Sequence, residues 1–158
     1  MLRTGFGYDL HRLESGYDLW LGGIRIEHEK GAVAHSDGDT LIHAICDALL
    51  GAACLGDIGK HFPDTSSDYK NVDSKELLKE VMLLLQKERY SIQNIDTTVI
   101  LEKPKLAPHI ESMRKQLAAV LQLETSQISV KAKTNEKTGL IGEGDAVAAF
   151  AVCLINRK

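Results

Sequence analysis

The chain reads as an α+β protein, a two-layer arrangement in which helices cover a mixed β-sheet. Three observations predict it. Segments at 95–101, 128–133 and 146–155 alternate or run apolar and are rich in β-branched residues, the signature of strands. Segments opened by Asp39, Asp73 and Pro108 carry apolar residues at helical spacing. A length of 158 residues with 44% hydrophobic content suits one domain over 1–158 with a real core and leaves little room for a second.

Taken in order, Gly5-Phe6-Gly7-Tyr8-Asp9-Leu10-His11 reads as a strand. Its period-two alternation puts Asp9 and His11 on one face and Tyr8 and Leu10 on the other. Residues 19–26, broken at Gly22-Gly23, read as two short strands around a tight turn. Asp39 caps a helix over 39–54, which is apolar around most of its circumference through Ala44, Ala48, Leu49 and Ala52. Such a helix is buried deeply or in a subunit contact. Asp73-Ser74 caps a second helix with Leu77, Leu78, Val81, Leu84 and Leu85 as its stripe. The 95–101 strand is ended by Pro104, and Pro108 opens a third helix running to about Gln122, with Ile110, Met113, Leu117, Val120 and Leu121 inward. The strand at 128–133 alternates, and that at 146–155 is near-continuously apolar, as expected of a strand buried on both faces.

Charge and cysteine usage narrow the function classes. The formal net charge is -3 and no Lys/Arg run forms a nucleic-acid track, so any affinity for anions must be local. Cys46, Cys54 and Cys153 sit in apolar stretches, are odd in number and form no C-x-x-C pair. They are expected to be reduced core thiols of a cytoplasmic protein. No apolar run approaches the roughly 20 residues of a membrane span, and the polar, Gly-rich start is unlike a signal peptide. A soluble, mature chain is expected.

The run Ala34-His35-Ser36-Asp37-Gly38-Asp39, continuing to His43 and Asp47, gathers acids and imidazoles around one helix start. His43 falls one turn into that helix and Asp47 a further turn along the same face. A lone D-x-H pair is common, and a single helix histidine is more often a hydrogen-bonded core residue. Together, Asp9 and His11 on one strand face and His43 near an anion-favouring helix start form one carboxylate and two imidazoles. That set, with a position open for water or substrate, matches a catalytic zinc site better than a closed structural one.

Two further loops are chemical in composition. Gly56-Asp57-Ile58-Gly59-Lys60-His61-Phe62-Pro63-Asp64-Thr65 packs two glycines, two acids, a lysine and a histidine after a helix. Its plain alternative is a helix end and turn, with Gly56 at positive φ and Asp57 bonding nearby backbone. Lys131-Ala132-Lys133-Thr134-Asn135-Glu136-Lys137-Thr138-Gly139 follows a strand. Lys and Thr suit phosphate oxygens and the carboxylate a hard cation; by itself the segment reads better as a solvated charged loop.

The ordered motifs Gly7-Tyr8-Asp9-Leu10-His11-Arg12-Leu13, Leu21-Gly22-Gly23-Ile24, Ala34-His35-Ser36-Asp37-Gly38-Asp39, His43-Ala44, Asp47-Ala48-Leu49-Leu50-Gly51-Ala52, Gly56-Asp57-Ile58-Gly59, Phe62-Pro63-Asp64-Thr65 and Lys131-Ala132-Lys133-Thr134-Asn135-Glu136 span essentially the whole chain. In them the chain resembles the 2-C-methyl-D-erythritol 2,4-cyclodiphosphate synthase family of the non-mevalonate isoprenoid pathway. The resemblance implies a homotrimer of α+β subunits with active sites at the subunit interfaces. It implies Asp9, His11 and His43 as zinc ligands and Glu136 as the ligand of a second divalent ion, Mg²⁺ or Mn²⁺. It further implies catalytic roles for Asp9, His35 and Glu136. His35 and Ser36 fall where the family binds the 2-phosphate of the substrate, and Asp57, Ile58 and Gly59 where it holds the methylerythritol hydroxyls. Phe62, Asp64 and Ser66 belong to the same substrate loop. Leu101, Lys103, Lys105 and Ala107 match the nucleotide pocket, with Lys133, Thr134 and Asn135 near the nucleotide phosphates.

The chain departs from the family mainly in one region. Where members commonly carry Phe-x-Gly-Arg-Gly-Glu-Gly, it has Leu140-Ile141-Gly142-Glu143-Gly144-Asp145-Ala146. In the family these residues surround the trimer axis, at a cavity associated with isoprenoid diphosphates, and Glu143 in place of arginine would repel such a ligand. Ser66, where an acid is frequent, is a milder change. Neither touches a metal ligand, so the resemblance implies the synthase reaction. Rival readings are a trimeric binding or regulatory protein and a metal-dependent phosphohydrolase using the same groups.

Overall fold

The computed structural model describes residues 1–157. Seven strands and five helices follow the order β1 (Leu2–Ser15), β2 (Leu19–Leu21), β3 (Ile24–Ile26), β4 (Lys30–Ala32), α1 (Thr40–Ala52), α2 (Ile58–His61), α3 (Ser74–Lys87), β5 (Tyr90–Ile100), α4 (Ile110–Leu121), β6 (Ile128–Lys133), α5 (Gly139–Gly142) and β7 (Ala146–Arg157). Five strands form one sheet in the order β4-β1-β7-β5-β6, while β2 and β3 make a separate hairpin. Among the described residues only β5 and β6 run parallel, joined through α4. The sheet is therefore mixed and flanked by helices, as the alternation of strand-like and helix-like segments predicts.

The alternation along β1 decides where the site lies. Gly5, Gly7, Asp9 and His11 share one face, while Phe6, Tyr8 and Leu10 turn to the other and are exposed. On the first face α1 lies against bare backbone, since a Cβ on Gly5 would stand 1.9 Å from the Ala48 carbonyl oxygen. Ala44, Ala48 and Ala52 are buried in the same contact. Small residues on both elements thus let the helix carrying His43 settle directly on the strand carrying Asp9 and His11. Behind them, Val147, Ala149, Ala151, Cys153 and Ile155 of β7 complete the core with the stripes of α3 and α4.

Several elements begin or end differently from their sequence expectation. The strand expected at 95–101 starts at Tyr90, because a bulge between Ile92 and Asn94 breaks the alternation that would have revealed it. Pro108 sits in a 3-10 turn, Ala107–His109, that precedes α4. The loop at 56–65 contains a one-turn helix capped by Asp57, whose carboxylate accepts from Lys60 N–H at 2.9 Å. The last strand is buried on both faces only over Ala146 to Ala149; beyond Phe150 one face opens, and Val152 is 47% exposed. Cys54 is also not a core thiol. It lies in the turn after α1 at φ 59°, exposed beside the Arg3 guanidinium, whereas Cys46 and Cys153 are buried as expected. Among the described residues no helix is long and apolar enough to cross a membrane.

Candidate active site

Asp9, His11 and His43 converge. Their ligand atoms all lie within 4.8 Å of one another, the one such grouping of three among the described residues. Asp9 Oδ2 is 2.9 Å from His11 Nδ1 and 3.2 Å from His43 Nδ1. Burial alone would raise the Asp9 carboxyl, but hydrogen bonds and charge from the two imidazoles outweigh it and hold the group well below the usual carboxylate range. Burial would likewise lower His43, and Asp9 reverses this, raising it above the usual 6.5. An acid held ionised between two imidazoles at this spacing is a donor set that fits a catalytic zinc, three protein ligands with a fourth position open.

The remaining acids of the 34–47 run serve the backbone. Asp39 caps α1 through Ile42 N–H and also accepts from Gly22 and Gly23 N–H at 2.9 and 2.7 Å, tying the β2–β3 hairpin to the helix start. Burial pushes its carboxyl up, against the pull of these three donors. Asp47 accepts from Ile58 N–H at 2.7 Å and so fixes the start of α2. Asp37 accepts from Ser74 N–H at 2.9 Å, joining the His35-Ser36 loop to α3. Asp47 thus shares the helix face of His43 without joining the cluster.

Beside the cluster opens a cavity of about 430 Å³. Its lining includes His11, His35, Ser36, His43, Ile58, Gly59, Phe62 and Asp64, all singled out by sequence. Asp57 caps the helix at its edge, and the Ser66 carbonyl accepts from His35 Nε2 at 3.0 Å. Tyr69, Val72 and Leu77 also line it and were not among the expected residues. Leu77 is a stripe residue of α3, and nothing in its spacing separates a core leucine from one at a cavity wall.

A second, smaller cleft of about 160 Å³ lies where β5 and β6 end, and shares no lining residue with the first. Leu101, Lys105, Ala107, Lys133 and Thr134 line it with Glu102, Pro104 and Leu106. The Glu102 carboxylate accepts from Asn135 N–H at 3.1 Å, and Thr134 Oγ1 donates to Glu136 Oε1 at 2.9 Å. Glu136 itself adopts φ 49° in this exposed loop. Lys103 and Glu143 line a third cleft with Lys30 and Lys137, and Leu140 is exposed beside it. Within one chain the expected site residues are therefore divided between separate clefts.

The YgbB family profile matches residues 2–156. The chain belongs to the YgbB family. Its likeness to YgbB-type proteins runs from end to end. It is 56% identical over 153 residues to the 2-C-methyl-D-erythritol 2,4-cyclodiphosphate synthase of Porphyromonas gingivalis, covering 97% of this chain and 94% of that protein. The synthase of Francisella philomiragia is 54% identical over 156 residues, covering 98% of each. A solved 2C-methyl-D-erythritol-2,4-cyclodiphosphate synthase in its CDP-bound form superposes with a TM-score of 0.90 at 40% identity, over 98% of this chain and 100% of that one. The IspF CDP complex of Plasmodium falciparum gives 0.87 at 39% identity, over 99% and 97%. The bifunctional IspDF of Campylobacter jejuni gives 0.96 at 39% identity, and this chain spans 43% of that longer protein.

Proposed function

We infer that this chain converts 4-diphosphocytidyl-2-C-methyl-D-erythritol 2-phosphate to 2-C-methyl-D-erythritol 2,4-cyclodiphosphate and CMP, as a phosphorus-oxygen lyase of the non-mevalonate isoprenoid pathway. The observation that carries this reading is the convergence of Asp9, His11 and His43 beside the larger cavity in a YgbB-family chain. We read residues 1–158 as one catalytic domain.

In the reaction an oxygen of the 2-phosphate attacks the β-phosphorus, the bond to the CMP oxygen breaks, and the ring closes. Both partners belong to one molecule, so catalysis is chiefly a matter of positioning and charge neutralisation. His35 and Ser36 would hold the 2-phosphate end, and the Asp57–Gly59 turn the methylerythritol hydroxyls. Phe62, Asp64 and Ser66 would close the loop around them. Leu101, Lys103, Lys105 and Ala107 would receive the cytidine, with Lys133, Thr134 and Asn135 at its phosphates. Asp9, His11 and His43 would hold zinc and Glu136 a magnesium or manganese ion, which when bound supply Lewis acidity and charge neutralisation to phosphate oxygens.

The two clefts lie apart in one chain, so a complete site requires the larger cavity of one copy to face the smaller cleft of another. We therefore propose a homotrimer with interfacial active sites. The uncovered apolar face of β1 and β7 supports assembly, since a monomer rarely leaves such a patch to water. We assign the protein to the cytoplasm, where its three free cysteines would stay reduced. We propose no nucleic-acid partner, on the ground of the net charge of -3 and the lack of a Lys/Arg run.

Incubation with the cytidine diphosphate substrate and divalent ion tests the reading. Release of CMP with a cyclic diphosphate is the expected result. An open-chain product would make the protein a hydrolase, and binding without turnover would make it a non-catalytic relative.

A further inference from the structure

The turn that carries Glu136 is built from residues that do not favour it. Asn135 to Thr138 form a four-residue turn closed by Thr138 N–H to the Asn135 carbonyl at 2.9 Å, and its central residues, Glu136 and Lys137, stand at φ 49° and 58°. Positive φ at both centres is the requirement that Asn-Gly meets in tight turns, and any other side chain there crowds its own backbone. Such a turn persists where its surroundings over-determine it. Part of the hold is local, since Asn135 Nδ2 donates to the Thr138 carbonyl at 2.7 Å. Part comes from α5. There Gly142 N–H donates to the same carbonyl at 3.2 Å, and the bare Gly142 backbone presses on Lys137 so closely that a Cβ would stand 2.2 Å from its carbonyl carbon.

The third hold comes from just beyond the end of β5. Glu102 Oε2 accepts from Asn135 N–H at 3.1 Å, where the chain leaves β6 and enters the turn. Glu102 lines the smaller cleft, and an acid there opposes the phosphates that Lys105, Lys133 and Thr134 are suited to receive. Lys103, Lys105, Lys133 and Lys137 line the clefts it borders, yet among the described residues none comes within ion-pair distance of its oxygens. What the carboxylate contributes is therefore an acceptor rather than charge compensation. Asn135 stands between Thr134 and Glu136, so one bond fixes the residues on either side. We propose that Glu102 is a positioning residue for the phosphate loop, setting Thr134 at the nucleotide phosphates and Glu136 at the divalent ion through the Asn135 amide. This rests on the nucleotide-cleft reading given above.

Hydrogen exchange and CDP titration of the full chain test it. The Asn135 amide should exchange slowly in the unaltered protein and faster in Glu102→Ala. The same variant should bind CDP with Mg²⁺ about tenfold more weakly by calorimetry, the loss expected of a hydrogen bond to a charged group, and keep its zinc. Glu102→Gln retains an acceptor oxygen without the charge, so it should restore both readouts. A Glu102→Gln protein as impaired as Glu102→Ala would overturn the proposal, as would faster Asn135 exchange with CDP affinity unchanged. A Glu102→Ala protein that lost zinc together with CDP would mark a merely structural residue and overturn it too. Failure of the unaltered protein to bind CDP would instead overturn the nucleotide-cleft reading, and Asn135 exchange, which needs no ligand, would then decide by itself whether Glu102 holds the turn.

Discussion

Gly7 and Ala44 touch through bare backbone: a Cβ on Gly7 would stand 1.9 Å from the Ala44 carbonyl oxygen. Two residues along the same face of β1 comes Asp9, and one residue before Ala44 comes His43. The contact that closes the core therefore also sets the distance across the Asp9–His11–His43 cluster.

Gly7→Ala should force α1 away from β1. The cost is at least that of an overpacked core, about 1–3 kcal/mol, read as a lower denaturation midpoint. Zinc affinity should fall with it, because Asp9 and His43 move apart. A Gly7→Ala protein of unaltered stability would show that the helix can shift without penalty.

Proton binding at the cluster gives a pH signature. In the metal-free protein His43 is raised above 6.5 by Asp9, so it contributes stability that is full below the unfolded value and is lost as pH rises through the folded one. Zinc binding should strengthen over the same interval, since the ion takes the place of a proton. Melting temperature should consequently fall with pH in the metal-free protein and rise in the zinc-loaded one. His43→Ala should abolish both trends and reduce zinc content, as should His11→Ala for the metal. Full zinc occupancy in both variants by elemental analysis would remove these residues from the centre.

Much of this was legible in the sequence, and the failures share a cause. Alternation placed Asp9 and His11 together, and capping chemistry placed Asp39, because both are local rules acting over a few residues. The partners of the other two acids in the 34–47 run were not legible. Asp37 reaches Ser74 and Asp47 reaches Ile58, through loops whose path depends on packing. Richness in acids drew attention to the stretch that carries His43, yet the one carboxylate grouped with His11 and His43 comes from β1. The exposure of Cys54 was hidden for a similar reason, since an apolar neighbourhood in sequence says nothing of a left-handed turn that swings the residue outward. The expected site residues fall in separate clefts because they come from different elements, those of the larger cavity from β1, α1 and α2 and those of the smaller from the ends of β5 and β6.

Glu136→Gln should retain zinc and lose turnover. The amide keeps an oxygen and the Thr134 contact, but not the charge that would hold a hard cation. Added Mg²⁺ or Mn²⁺ should restore part of the rate. Unchanged activity at limiting divalent ion would exclude Glu136 from the mechanism.

Glu143 is exposed at the end of α5, where the family resemblance expects arginine. A carboxylate there opposes a diphosphate, although Lys30, Lys103 and Lys137 share its cleft. Geranyl diphosphate should bind weakly by calorimetry, and Glu143→Arg should strengthen it. Tight binding indifferent to the substitution would put the ligand elsewhere.

The outer face of β1 makes assembly testable apart from metal binding. Phe6 is 63% exposed and Tyr8 47%, with the Tyr8 ring centroid 5.0 Å from that of Phe150 on the neighbouring strand. These side chains alternate with Gly7 and Asp9, so the face that would meet another copy and the face that would bind metal are two sides of one strand. Phe6→Glu places a charge in the proposed contact without touching the cluster, and burying that charge unpaired costs several kcal/mol. Sedimentation should show the trimer dissociating toward monomer, with zinc retained because all three ligands belong to one chain. Activity should vanish with the trimer, since the cavity beside the metal would lose the nucleotide cleft supplied by its neighbour. A zinc-loaded monomer that still released CMP would mean that one chain completes the site alone.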